Sequence, residues 1–111
     1  LASNAFSRVQ AVAVTHGRGS FWAVQYHPEY DLHEIARLAV LRRDELVRQG
    51  TFADEVAAAA WVTAFEALHA DPHQAALAAR YGVALGDLDE SVRIRELANW
   101  IDGQVRPRAA A

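Results

Sequence analysis

Residues 20–29 read S-F-W-A-V-Q-Y-H-P-E, and the chain changes character where this segment ends. Its first seven residues are rich in aromatic side chains and include a valine, a composition that favours a β-strand. Pro28 has no backbone N–H and disfavours helix for the residue before it, so it is expected to end the strand and hold His27 extended. Residues two apart on an extended segment point to the same side, which predicts that His27 and Glu29 project together.

A second strand is predicted shortly before this one. Val9–Thr15 reads V-Q-A-V-A-V-T, which contains three valines and a threonine, and residues 16–19 read H-G-R-G. Two glycines in so short a connection predict an antiparallel hairpin. Leu1–Phe6 is expected to add a third strand. Because so small a sheet cannot close a core by itself, further strands are expected upstream of Leu1.

Helical patterns begin at Asp31. The spacing Asp31-x-x-Glu34 is that of a capping box and predicts a helix that runs to about Gln49, where Gly50 would end it. Thr51, with Asp54 three residues later, is expected to start a second helix. The predicted apolar face of that second helix consists of Val56, Ala59, Ala60, Thr63 and Ala67.

Two further helices are predicted before the C-terminus. Asp71-Pro72-His73-Gln74 combines an N-cap residue with a proline at the first helical position, and Gly82 would stop this helix after Tyr81. The spacing Asp87-x-x-Glu90 is expected to open the last helix. Its predicted apolar stripe consists of Ile94, Leu97, Ala98, Ile101 and Val105. The sequence therefore predicts strands first and four helices after them.

The composition restricts the class of protein. A formal net charge of −3 provides no basic field, so nucleic acid is not an expected partner. No apolar run is long enough to cross a membrane and no leader precedes the first strand, which predicts a cytoplasmic protein. The absence of cysteine excludes disulfides and thiolate metal sites within these 111 residues. Basic residues that are all arginine, together with abundant alanine, indicate GC-rich coding and a bacterial source.

His27 and Glu29 are the candidate catalytic residues. A carboxylate that orients an imidazole forms the base half of a nucleophilic triad. A simpler interpretation is that His27 is only a turn residue. A metal site built from His27, Glu29, His33 and Glu34 is not expected, because His33 and Glu34 are adjacent on a helix and point apart. No cofactor is expected. The aromatic residues of the helices are expected to pack in the core: Trp61, Phe65 and Trp100.

The segment 21–29, F-W-A-V-Q-Y-H-P-E, resembles the closing motif W-G-V-Q-F-H-P-E of the class I (triad) glutamine amidotransferases. The resemblance is nearest to the branch that looks like the amidotransferase domain of GMP synthase. It covers roughly the first 40 residues and includes Leu1-Ala2-Ser3-Asn4 and the Val9-Gln10-Ala11 segment. Ala23 stands where the family usually has glycine, which is a mild departure.

This resemblance implies a fold and a function. Residues 1–50 would be the C-terminal part of a three-layer, flavodoxin-like α/β amidotransferase domain, and residues 51–111 would be a four-helix extension. His27 would activate a cysteine thiol and Glu29 would orient His27. The thiol would attack the side-chain amide of glutamine and release ammonia. Glutamine and a synthetase domain or subunit, which would bring ATP and magnesium, are the implied partners.

The nucleophile is the main departure from the family. Its turn, G-x-C-x-G, is absent from this sequence and is expected upstream of Leu1, so the 111 residues alone are expected to be inactive. The alternative is a non-catalytic interaction module or a degenerate amidotransferase relative, whose apolar helical stripe packs on a partner. A small helical regulatory domain with an attached hairpin is a third interpretation.

Overall fold

A computed structural model describes residues 2–109, and the side chains of residues 2–107. The chain is mixed α/β and divides into two compact units. The first unit joins the residues up to Pro28 with those from Ile94 onward, and the second comprises Glu29–Arg93. This division is one of packing, and the domain boundary expected at residue 50 stays a prediction.

The first unit contains the predicted antiparallel hairpin. Strand β1 spans Ala11–His16 and strand β2 spans Gly19–Val24. Ala13 pairs with Trp22 and His16 pairs with Gly19. The turn between the strands has Gly17 at φ +58°, as a two-residue hairpin loop with glycine first requires.

The N-terminal segment does not form the expected third strand. Ala2 makes a single antiparallel bridge to Ala11, and the Ala2 carbonyl accepts from the Gln10 N–H at 2.8 Å. Leu1 lies outside the described residues. Among those residues, the hairpin is the one sheet of two strands or more, so the flavodoxin-like sheet is not observed in this part of the chain.

The predicted last helix is interrupted. In the first unit, α6 spans Arg95–Trp100, a π-helical turn spans Ile101–Val105, and α7 spans Arg106–Ala109. The predicted apolar stripe is not buried, because Leu97, Ile101 and Val105 are 39%, 40% and 39% exposed. Gly103 lies in the π-helical turn, where the absence of a side chain weakens regular α-helix.

The second unit begins with the predicted capping box. Asp31 Oδ1 accepts from the Glu34 N–H at 2.9 Å, and Glu34 Oε2 accepts from the Asp31 N–H at 3.0 Å. The single helix predicted to run to Gln49 is divided into α1, Leu32–Leu41, and α2, Arg43–Arg48. The division falls at Arg42, whose φ of −106° and ψ of 14° depart from helix. Gly50, at φ +77°, ends this stretch as expected.

Helix α3, Glu55–Ala70, begins later than predicted. Asp54 caps it by accepting from the Ala57 N–H at 2.7 Å, and Thr51 does not serve as the cap. The predicted apolar face was also wrong. Alanines surround this helix on nearly every side, so the bulkier Trp61, Phe65 and Leu68 decide which side packs inward. Four of the five predicted face residues are exposed: Val56, Ala59, Ala60 and Thr63.

The core of the second unit lies between α1, α3 and the next helix, α4, Ala75–Tyr81. Gly82, at φ +68°, ends α4 as predicted. The rings of Trp61 and Phe65 stack with centroids 3.6 Å apart, which confirms their packing role. The buried cluster consists of Leu32, Ala36, Phe65, Leu68 and Ala78.

Two of the predicted N-caps are displaced. Asp71 caps the end of α3, and its carboxylate accepts from the His73 N–H at 3.0 Å. After α4 come a 3-10 helix, Leu85–Leu88, and a short helix, α5, Glu90–Arg93. Asp89, and not Asp87, accepts from the Ser91 N–H at 2.9 Å. The first and last of the four predicted helices are thus divided into shorter segments, whereas α3 and α4 are each continuous. None of the helices in residues 2–109 has the length and apolar character needed to cross a membrane.

Candidate functional site

His27 does not stand at the end of a strand, as was predicted, but in a short irregular segment that precedes a turn. Strand β2 ends at Val24, and the Gln25 N–H donates to the Gln10 carbonyl at 2.9 Å, which extends the pairing by one residue. The chain then bends, and Pro28 and Glu29 form a turn. Proline fixes its own φ near −65°, a value suited to a turn as well as to a strand end.

The two candidate catalytic residues, His27 and Glu29, belong to different compact units of the chain, and both are exposed. His27 lies in the first unit and Glu29 is the first residue of the second. Both side chains are exposed, whereas Pro28 between them is buried. Solvent access suits a residue that must reach a substrate. The triad roles of His27 and Glu29 stay predictions.

Tyr26, the residue before His27, is held by helix α6. Its hydroxyl donates a hydrogen bond to Glu96 Oε2. This bond is the main reason that the pKa of Tyr26 is raised above 10.0, with desolvation and the Glu96 charge adding to it. The chain leading to His27 is therefore anchored by a residue 70 positions away. No local sequence pattern indicates this contact.

A cavity of about 180 Å³ lies between strand β2 and helix α6. We call it the tryptophan cavity. Trp100 lines it, but its Nε1 is buried away from the cavity surface and has no hydrogen-bond acceptor among the described residues. The sequence predicted a packing role for Trp100 and gave no sign of this unsatisfied donor. The cavity is lined by Trp22, Val24, Pro28, Glu96, Leu97 and Trp100.

A row of acidic and imidazole groups joins α1 and α3 in the second unit. His33 Nδ1 is 2.7 Å from Glu66 Oε2, and His69 Nδ1 is 3.6 Å from Asp31 Oδ2. The two imidazole rings have centroids 5.5 Å apart. His33 and Glu34 engage different partners, as their adjacency on a helix predicted. In the part of the chain that is described, no group of three or more such side chains is arranged to hold a metal ion.

Asp31 has a perturbed pKa. The hydrogen bond from the Glu34 backbone N–H lowers the pKa of the Asp31 carboxyl below 3.8; partial burial opposes this effect, and the nearby His69 adds to it. Asp31 therefore acts first as a helix cap, as the sequence predicted, and its charge is held in place by α1.

Comparison with known proteins finds a relative among bacterial hydrolases. The chain is 32% identical over 103 residues to a gamma-glutamyl-L-1-hydroxyisopropylamide hydrolase from Pseudomonas sp. The match covers 91% of this chain and 34% of the relative, so the chain spans about a third of the relative's length. No protein-family model matches the chain. No solved structure matches it.

This similarity extends the relationship well beyond the motif. The resemblance read from the sequence covered roughly the first 40 residues, whereas the match to the Pseudomonas hydrolase takes in most of both units. It supports a broad relationship to hydrolases of the glutamine amidotransferase type. It does not single out the GMP synthase branch.

Proposed function

We propose that this chain is part of an enzyme that hydrolyses γ-glutamyl amides through a Cys-His-Glu triad of the class I amidotransferase type. The observation that carries the proposal is the 103-residue similarity to a γ-glutamyl amide hydrolase in a chain that also contains W-A-V-Q-Y-H-P-E. The similarity to the hydrolase and the motif both point to cleavage of the γ-glutamyl C–N amide bond, because glutamine is itself the simplest γ-glutamyl amide.

In the proposed reaction His27 transfers the protons. It takes the proton of a cysteine thiol as the sulfur attacks the γ-carbonyl carbon, and it gives that proton to the amine nitrogen as the C–N bond breaks. Water then attacks the resulting thioester with His27 again as the base, which releases glutamate and restores the thiol. Glu29 orients the imidazole and stabilises its protonated form.

The proposal needs a nucleophile from outside these 111 residues, since they contain no cysteine. It includes a three-layer, flavodoxin-like domain to which the hairpin contributes, with residues 51–111 as a helical extension. It also includes a cytoplasmic location and a bacterial source. A GMP synthase-like enzyme would pass ammonia to an acceptor on a synthetase partner. The relative's name favours the simpler case, in which water receives the glutamyl group.

The test is glutamate release by the full-length protein from glutamine and from γ-glutamyl-L-1-hydroxyisopropylamide. His27→Ala is expected to lower kcat by about 10²–10⁴-fold, because the general base and acid is removed. Glu29→Gln keeps the size of the side chain and loses its charge, so a smaller loss is expected.

His73→Ala is the matched control, because His73 is an exposed histidine in the loop between α3 and α4. Its activity should equal that of the wild type. If the wild-type protein releases glutamate from neither amide, the enzyme proposal is wrong and the non-catalytic interaction module becomes the better interpretation. If His27→Ala and His73→Ala behave alike, His27 is not the base.

A further inference from the structure

His27 stands in the chain between two residues that lie next to helix α6. Tyr26 precedes it, and the Tyr26 hydroxyl donates a hydrogen bond to Glu96 Oε2 in the first turn of α6. Pro28 follows it, is buried, and lines the tryptophan cavity together with Leu97 of the same helix. His27 itself is exposed, so the position of its backbone depends on these two neighbours more than on burial of its own side chain.

The hydroxyl of Tyr26 is a feature of this chain and not of the motif. The amidotransferase motif W-G-V-Q-F-H-P-E has phenylalanine where this chain has Tyr26. The chemistry of the motif therefore needs no hydroxyl at this position, and a phenylalanine could not donate to Glu96. The hydrogen bond thus adds a support for the segment that the motif alone does not provide.

The segment around His27 benefits from a support because the strand ends before it. Strand β2 ends at Val24, and the Gln25 N–H adds one further backbone hydrogen bond, to the Gln10 carbonyl. A residue outside regular structure keeps more backbone freedom than a residue in a strand. A directed bond from the neighbouring side chain restricts that freedom, and a general base must be held in place to take a proton.

The bond between Tyr26 and Glu96 is present at neutral pH. This bond raises the pKa of Tyr26 above 10.0, so the phenol keeps the proton that it donates. A hydroxyl that donates to a carboxylate forms a charge-assisted hydrogen bond, which is stronger than one between neutral groups.

We propose that Glu96 is a positioning residue for the reaction: through the Tyr26 hydroxyl it fixes the segment that carries His27. This inference rests on the proposed function and adds a residue to it. Glu96 contacts neither the substrate nor the bonds that change, and it acts only through Tyr26. The helical extension, residues 51–111, therefore takes part in catalysis although it lies outside the motif.

The first experiment measures kcat and KM of the full-length protein for glutamine and for γ-glutamyl-L-1-hydroxyisopropylamide. Tyr26→Phe introduces the residue of the motif and removes only the hydroxyl. We expect kcat to fall about tenfold, because a misplaced catalytic group costs up to about 10²-fold, and KM to change by less than about twofold. Glu96→Ala should give the same loss. Glu96→Gln, whose amide oxygen still accepts from the hydroxyl, should recover most of the activity.

A double-variant cycle and a matched control separate positioning from a general loss of stability. If Tyr26 and Glu96 act through one bond, the variant that combines Tyr26→Phe with Glu96→Ala loses no more kcat than either change alone. Gln104→Ala is the control, because it also removes the acceptor of a hydroxyl on the hairpin, that of Ser20, at 2.9 Å. Ser20 lies near the start of β2, at the end away from His27, so Gln104→Ala should keep the wild-type kcat.

A nuclear magnetic resonance measurement supplies a readout that does not depend on turnover. The imidazole resonances of ¹⁵N-labelled full-length protein are recorded, and those that disappear in His27→Ala are assigned to His27. We expect Glu96→Ala to shift or broaden the His27 resonances, although Glu96 is remote from His27 in the sequence. Gln104→Ala should leave them unchanged.

The outcomes separate the two proposals. If the wild-type protein hydrolyses no amide, the proposed function fails and the catalytic role of Glu96 fails with it. If amides are hydrolysed but Tyr26→Phe and Glu96→Ala keep the wild-type kcat, only the positioning role is overturned. An equal loss of kcat in Gln104→Ala would also overturn it, because the C-terminal stretch would then act through stability alone. Should Glu96→Ala fail to fold, Tyr26→Phe and Glu96→Gln still decide.

Discussion

The two units of this chain are held together in different ways. In the second unit, Ala36 and Leu68 are completely buried, and three helices meet around them. In the first unit, by contrast, Phe21 on the hairpin is 63% exposed and Val14 is 51% exposed. Ala11 and Pro28 are the buried residues of the first unit among those described.

Polar contacts therefore carry more weight in the first unit. Ser20 Oγ donates to Gln104 Oε1 at 2.9 Å, and Tyr26 donates to Glu96. Each contact ties the hairpin segment to the C-terminal helical stretch. The comparison shows that the part of the chain bearing His27 is positioned by a few directed bonds, whereas the second unit is a packed helical core. Three predictions test this difference, in order of decreasing effect.

The largest effect is expected at Leu68. Leu68→Ala should lower the free energy of unfolding by about 2–5 kcal/mol, because it removes a fully buried side chain and leaves a cavity. Chemical denaturation followed by circular dichroism measures this loss. Leu41→Ala, at a 79% exposed position, is the control and should change the free energy by less than about 0.5 kcal/mol. Equal losses in the two variants would show that the second unit has no dominant core.

The next effect concerns the cap of α1. Asp31→Ala should lower the free energy of unfolding by about 0.5–2 kcal/mol at pH 7, because the N–H of Glu34 loses its acceptor. The pKa of Asp31 is depressed in the folded state, so its contribution is present above the unfolded pKa of about 3.9 and is lost as the pH falls through the folded pKa. The difference between wild type and Asp31→Ala should therefore shrink below about pH 4.

Denaturation curves at pH 7, 5 and 3 measure this dependence. Asp44→Ala is the control, because the Asp44 side chain is 82% exposed and pairs with the adjacent, solvent-exposed Arg43. If the difference in the free energy of unfolding between wild type and Asp31→Ala is the same at pH 3 as at pH 7, Asp31 does not act as a charged cap.

Local signals account for the features that were predicted correctly. The hairpin turn, the cap at Asp31 and the stops at Gly50 and Gly82 each depend on a few neighbouring residues. Glycine adopts positive φ with little strain, and all three of these turns or stops contain such a glycine. Caps and turns are thus readable from the sequence because their physical causes lie within three or four residues.

The buried face of α3 was not predictable in this way. Alanines occur around most of the helix, so the apolar period does not distinguish one side, and packing against α1 decides which side is buried. The helix breaks near Arg42 and Ile94 were not predicted either, because no glycine or proline lies at them.

The geometry of the candidate site could not be predicted from local sequence either. His27 and Glu29 were identified from a motif and not from geometry, and the strand proved to end at Val24, before it reaches His27. The contact between Tyr26 and Glu96 joins residues 70 positions apart, and the tryptophan cavity is lined by residues of both β2 and α6. Such contacts require the folded chain.

The smallest expected effect concerns the hydrogen bond between Tyr26 and Glu96 in the first unit. Glu96→Ala removes the acceptor of the Tyr26 hydroxyl, so the pKa of Tyr26 should fall back toward 10.0. Because the folded pKa is raised, the stabilisation by this bond is present below pH 10 and is lost as the pH rises through the folded pKa. An ultraviolet titration of the phenolate measures the shift, and Tyr26→Phe identifies which transition belongs to Tyr26. Glu45→Ala, which removes an exposed carboxylate on α2, is the control and should leave that transition in place. A Tyr26 transition that does not move in Glu96→Ala would mean that the segment before His27 is held by packing, as in the second unit, and not by this bond.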